Sequence, residues 1–195
     1  MQPFHFKPSQ AVDLTSLCIK GERLKLRAID EQDAPAIFQE FTAAVTRYMT
    51  PRPPATIEET LDFIRRSRRG MAAGWNLVLV ILDKETDEFL GVCGYHGEGQ
   101  PRTPELGIWL KQAAHGHGYG REAMWTLVAW ATDVMDFDDL IYPVDRANLA
   151  SRKIPESLGG TIFAEKQVET MSGGMLDEVV YQIPYAVARE KITTN

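Results

Sequence analysis

Between positions 24 and 28 hydrophobic and charged residues alternate. Leu24, Leu26 and Ala28 point one way, Lys25 and Arg27 the other, which predicts a strand with one buried face. The period then changes. Ala34, Ile37, Phe38, Phe41 and Val45 recur at helical spacing, with Asp30 or Asp33 available as the cap and Pro35 suited to a first turn. After a proline-rich bend at 51–54, Thr56 and Glu59 have capping-box spacing and open a helix carrying Ile57, Leu61 and Ile64. Arg65, Arg66, Arg68 and Arg69 close that helix near Gly70 and Gly74, as cations complementing its C-terminus in solvent.

The stretch 77–82 is apolar on both faces and predicts a central strand covered on both sides. A turn at 83–88 leads to a return strand at 89–95 and a glycine- and proline-bearing loop at 97–104. In the next strand, 105–110, Leu106, Ile108 and Leu110 share one face; Glu105, Gly107 and Trp109 share the other. Gly107 inside a strand predicts a bulge or a group lying close to the backbone. A long helix follows from about residue 118 to 135, with Met124, Leu127, Val128, Ala131 and Met135 as its core stripe. A strand at 140–144, a helix at 148–158 ended by Gly159 and Gly160, and antiparallel strands at 161–166 and 176–183 complete the pattern. The sum is an α/β chain with a mixed sheet. Residues 1–20 read as an N-terminal arm and 21–195 as a single domain.

Composition narrows the classes. The chain has 195 residues, of which 44% are hydrophobic and 25% charged, enough to bury a core without metal or disulfide. Its 27 acidic and 21 basic residues leave a net charge of −6, which argues against a nucleic-acid partner. Two cysteines, Cys18 and Cys93, build no disulfide framework and suit a reduced, cytoplasmic setting. The longest apolar stretch is far short of the roughly 20 residues of a bilayer span, and no apolar signal region opens the chain. No membrane partner is expected.

The chemistry concentrates at one place: strand 105–110, the turn His115-Gly-His-Gly-Tyr-Gly120, and the start of the long helix. Glycines at 116, 118 and 120 allow a tight turn that presents successive N–H groups at a helix N-terminus, a cradle for phosphate oxygens. The spacing is not a dinucleotide fingerprint, because counting from Gly116 puts Arg121 at the third glycine position. Nor does a lysine and hydroxyl residue follow, as a Walker loop requires. His115 and His117 alone make an incomplete metal site, so no metal is expected. Cys93, within an apolar strand, reads as an inert thiol, and His96 as a surface histidine.

This strand, turn and helix, with the downstream Asn148-Leu-Ala-Ser151 helix start, resemble the GNAT superfamily of acetyl-CoA-dependent N-acetyltransferases. The family's Arg/Gln-x-x-Gly-x-Gly/Ala motif is met by His115-Gly-His-Gly118-Tyr-Gly120 in both glycines but not in the first position. Glu22-Arg-Leu-Lys-Leu-Arg27, the bend after Tyr48, Phe89-Leu-Gly91 and Glu105-Leu-Gly-Ile-Trp109 resemble its RimJ/RimL branch, which acetylates protein N-termini.

The resemblance implies a mostly antiparallel sheet splayed between its fourth and fifth strands, counted from residue 24, with helices on both faces. It implies acetyl-CoA as co-substrate, with its pyrophosphate on His115, Gly116, His117, Gly118, Tyr119 and Gly120. Ile108, Trp109 and Leu110 would position the thioester, with Asn148 and Ser151 beside the pantetheine. Glu105 would be the base and Ser151 the acid. The acceptor would be a small-molecule or peptide amine, and the protein a monomer or homodimer. Two departures stand out: Pro155 occupies the position of the family's proton-donating tyrosine, and Gly160 that of an aromatic. The competing reading is a GNAT-like domain that binds an acyl-CoA without turning it over.

Overall fold

The computed structural model describes residues 2–8 and 12–194; positions 1 and 9–11 of the arm, and 195, lie outside the described residues. In chain order the elements are β1 (Cys18–Lys20), β2 (Leu24–Ala28), α1 (Ala34–Glu40), α2 (Ile57–Ala72), β3 (Asn76–Asp83), β4 (Phe89–His96) and β5 (Glu105–Leu110). There follow α3 (Tyr119–Val134), β6 (Asp139–Asp145), α4 (Leu149–Ser157), β7 (Thr161–Glu169), β8 (Met175–Pro184) and α5 (Tyr185–Thr194). The strands form one eight-stranded sheet in the order β1-β2-β3-β4-β5-β6-β8-β7. Every neighbouring pair is antiparallel except β5 and β6.

The periodicities translate directly. Leu24, Leu26 and Ala28 are buried on one face of β2, and β3 is buried along nearly its whole length, as a strand covered on both sides must be. Phe41, just after α1, packs its ring 4.8 Å from that of Trp109 on one side of β5. Gly120 of α3 lies against Ile108 and Leu110 on the other. Helices therefore cover both faces. Thr56 caps α2 by accepting the Glu59 N–H at 3.4 Å, while the Glu59 carboxylate accepts the Ala55 N–H at 3.2 Å instead of closing the expected capping box on Thr56.

Several expectations need correcting. The helix expected to run through Val45 stops at Glu40; Phe41 leaves the helical conformation and turns its ring onto Trp109. Gly107 forms no bulge. It pairs in register with Gly94, and the close group is the His96 ring, 3.4 Å from where a Gly107 side chain would begin. Strand β1 and helix α5 carry too little periodicity to be read from sequence. The arm joins the same core: Phe4 and Leu14 are buried, the Phe4 ring meets Tyr95 edge-on at 5.1 Å, and β1 pairs with β2. With β1 counted, the splay lies between β5 and β6.

Candidate active site

Strands β5 and β6 pair at one position only, Glu105 with Ile141, and then part. Each is held elsewhere: β5 along β4 from Gly91 to His96, β6 along β8 over all seven of its residues. Beyond Glu105 the gap-facing backbone of β5 has no strand partner among the described residues. Pro143, which lacks an N–H, sits on the opposite bank, where no ladder bond is lost.

The glycine turn lies at the open end of this gap. Gly116 and Gly118 have φ of 81° and 78°, a left-handed conformation that glycine adopts without strain. A side chain at Gly116 would meet nothing within 4 Å, so the backbone there is bare. Gly118 is the N-cap of α3 and offers no side-chain cap, leaving the first helical N–H groups for an external acceptor. The His115 imidazole lies 3.0 Å from the Leu110 carbonyl and ties the turn to the end of β5. That contact gives the histidine a structural role at the position where the family has Arg or Gln. The ring of His117 stacks on Tyr119, 5.7 Å between centroids.

Arg23 braces the turn, and sequence reading passes over it. Its guanidinium donates to the His117 carbonyl at 3.3 Å, lies 4.8 Å from the Tyr119 ring centre and is held by Glu122 at 2.7 Å. Arg23 and Glu122 are almost a hundred positions apart, so no local signal marks the pair. With Arg121 and Lys191, Arg23 lines an open hollow beside the turn. The bare turn, the free helical N–H groups and these cations fit the phosphates of a CoA.

On the β6 bank, Asn148 caps α4 by accepting the Ser151 N–H at 3.2 Å. The Ser151 hydroxyl is 2.8 Å from that of Tyr142, a second residue sequence reading missed. Burial pushes the Tyr142 phenol up to about 12, so its proton stays in place at neutral pH. Pro155 does not break α4, which continues to Ser157; the N–H of Leu158 is shared among the last carbonyls. Gly160 sits where the chain is tight: a side chain there would come within 2.9 Å of the main-chain carbonyl of residue 155 and 2.8 Å of the Ile183 side chain.

A cavity of about 500 Å³ opens on the other face of β5, beneath α1 and α2. Ile108 and Trp109 floor it, with Val78 and Val92 beside them and Phe41 and Phe63 as walls. His96 lines it too, so it is not a surface histidine. Its ring lies over Gly94 and Gly107; a side chain at Gly94 would begin 2.2 Å from Nε2. Nδ1 is 2.7 Å from Oδ1 of buried Asn76, which accepts its proton and leaves the Nε2 lone pair free. Burial lowers the imidazole pKa to about 4 and keeps the ring neutral. Glu105 stands opposite His96 in the β4–β5 register and shares its face. Although Glu105 is accessible to solvent, packing around its carboxyl raises its pKa above the usual range; Lys166 opposes the shift, Glu178 and Glu98 add to it. The site thus brings Glu105, Ile108, Trp109 and Leu110 together on β5, with the turn at one end and Asn148 and Ser151 across the gap. Cys93 is buried and its thiol pushed up to about 12, consistent with inertness.

Residues 23–161 match the family described as the acetyltransferase (GNAT) domain. An N-acetyltransferase of Bacillus licheniformis, p20, is 29% identical over 143 residues, covering 70% of this chain and 78% of its own. YoaA of Bacillus subtilis, also named an N-acetyltransferase, is 27% identical over 149 residues, 72% of this chain and 81% of its own. Among solved structures, RimL, a ribosomal L7/L12 alpha-N-protein acetyltransferase in complex with coenzyme A, superposes with a TM-score of 0.76. It is 21% identical, with 86% of this chain and 98% of RimL covered. A GCN5-related N-acetyltransferase of Brucella melitensis gives 0.75 at 14% identity, covering 97% of this chain and 88% of its own. The splayed sheet, the glycine turn opening α3 and the family match over most of its length make this chain a GNAT acetyltransferase.

Proposed function

We propose that the chain transfers an acetyl group from acetyl-CoA to a primary amine by direct attack in a ternary complex. The observation that carries this reading is the position of β5. One face packs on the helix that begins at the glycine turn, the other floors a cavity, and its edge faces the gap.

Acetyl-CoA supplies an acetyl group already activated as a thioester. Backbone N–H groups of 116–120 hold its pyrophosphate, and the free edge of β5 at 108–110 aligns the thioester and polarises its carbonyl. An acceptor arrives mostly as an ammonium, with a pKa of about 8 to 10.4. Glu105, directly or through water, takes one proton, and a positioned base is worth about 10² to 10⁴ in rate. As the N–C bond forms and the C–S bond breaks, the second N–H proton balances the departing thiolate. A thiol pKa near 8.5 asks little of the acid. Ser151, hydrogen-bonded to Tyr142, gives the sulfur a proton and regains one from nitrogen. That pair takes over the role left vacant at Pro155.

The RimL neighbours suggest a peptide N-terminus as one acceptor class. Pro155 favours the second reading, a domain that binds acyl-CoA without turnover. Melting curves with CoA, acetyl-CoA, NAD and ATP, followed by thiol release across an amine panel, separate the two. CoA at one hundred times its dissociation constant adds about 2.7 kcal/mol to stability. A larger shift with NAD overturns the acetyltransferase reading; a CoA shift without turnover of any amine selects the binder.

A further inference from the structure

The cavity's chemistry is more specific than a generic amine site. Its deep wall is aromatic and aliphatic: Phe41, Phe63, Trp109, Val78 and Val92. Trp109 is itself braced between Phe41 at 4.8 Å and Phe89 at 5.8 Å, so the floor is preformed. One lining polar atom is left for a ligand: His96 Nε2 makes no hydrogen bond among the described residues, while its Nδ1 is held by Asn76. The Thr60 hydroxyl is also without a partner, but its oxygen is closed off from the cavity.

The rim carries Arg52 and Arg66 with Glu59 and Asp62, and Glu59 is paired with Arg52 at 3.1 Å. A second cationic group of an acceptor seated below the rim would be stripped of water against apolar walls. One side is also closed. Met171, at the tip of the β7–β8 hairpin, donates its backbone N–H to the Thr50 carbonyl at 2.8 Å, and both Met171 and the adjoining Met49 and Pro51 line the cavity. A volume of about 500 Å³ suits a compact molecule better than a polypeptide end.

We propose that this cavity takes a small arylalkylamine, one aromatic body joined to one primary amine, with the amino group on His96 Nε2 and the ring between Phe41, Phe63 and Trp109. The proposal rests on the acetyltransfer reading above. His96 lies over Gly107, beside the edge of β5, so an amine bonded to its ring faces the residues that align the thioester. His96 accepts an N–H and orients the nitrogen; the proton itself passes to Glu105. The aromatic walls contribute ring contacts that an alkyl polyamine or a sugar cannot make.

The test measures thiol release from acetyl-CoA with 2-phenylethylamine, spermidine, kanamycin and a short peptide with N-terminal serine. The expected kcat/KM is highest for 2-phenylethylamine, by about tenfold or more. Phe63→Ala raises KM for that amine about tenfold and leaves CoA binding unchanged. Preference for spermidine, kanamycin or the peptide overturns the proposal, as does an unchanged KM in a Phe63→Ala protein that still binds CoA. CoA binding with no turnover of 2-phenylethylamine overturns it too. Absence of any CoA-induced melting shift is a different failure: it removes the acetyltransfer reading itself.

Discussion

The glycine turn and the cavity sit on either side of one strand and are built on opposite plans. The turn works through backbone. Gly116 and Gly118 are left-handed, nothing crowds Gly116, and the turn is one run of six residues braced by Arg23. The cavity works through side chains from α1, α2, β3, β4, β5 and the hairpin tip, residues as distant as Ile37 and Met171. Phosphate is common to every CoA, so a backbone cradle needs no particular side chain. An acceptor is recognised by shape and by a few buried polar atoms, so its site depends on residues that differ freely elsewhere in the chain. On the function proposed above, one region would hold the cofactor and the other the acceptor.

That division can be broken most strongly with acid. His96 is held neutral in the fold, with its pKa lowered from 6.5 to about 4. The unfolded chain takes up a proton first as pH falls. The stabilisation is therefore full above pH 6.5 and is lost between 6.5 and 4, by about 3 kcal/mol. Urea melts of the parent and His96→Gln at pH 7, 5 and 4 measure it; the difference between the two proteins shrinks as pH falls. A difference independent of pH would show that His96 is not buried neutral.

Glu105→Gln comes next. It lowers kcat about a hundredfold, with CoA affinity little changed, and raising the pH partly restores the rate because more amine is already neutral. Wild-type turnover across pH 6 to 9 would remove Glu105 as base. On the other side of β5, Gly118→Val forces a branched residue into φ of 78° and weakens CoA binding by about tenfold, or 1.4 kcal/mol. The acceptor KM stays constant if the two regions are independent; a parallel rise in both would show them coupled through β5. The smallest effect is expected at Ser151→Ala and Tyr142→Phe. Each lowers kcat by about three- to tenfold, and the double variant is no worse than the more damaging single one, because they form one hydrogen-bonded pair. Additive losses in that cycle would separate them.

Legibility along the sequence follows the same line. The alternation at β2, the doubly apolar β3 and the Thr56 cap of α2 are local patterns, and each emerges in the element expected. The glycine turn is readable because left-handed backbone at a helix start requires glycines at fixed spacing and little else. The α1 helix was expected to run on through Phe41 because its periodicity continues, but an aromatic contact to Trp109 competes with one more helical turn and wins. Gly107 was readable as a place of close approach, yet not the group that approaches it, since the His96 ring comes from the neighbouring strand.

By itself, then, the sequence determined the α/β class, the glycine turn that opens α3 and the carboxylate at the head of β5, all of them expressed within runs of a few residues. Tertiary structure alone decided that Arg23 braces the turn, that Tyr142 backs Ser151 where Pro155 stands, and that Thr60 and His96 meet the same apolar cavity. The hydrogen bonds among them join residues nine and 94 positions apart. Their energy comes from burial and hydrogen bonding that exist only once the sheet has formed, so no pattern along the chain records them.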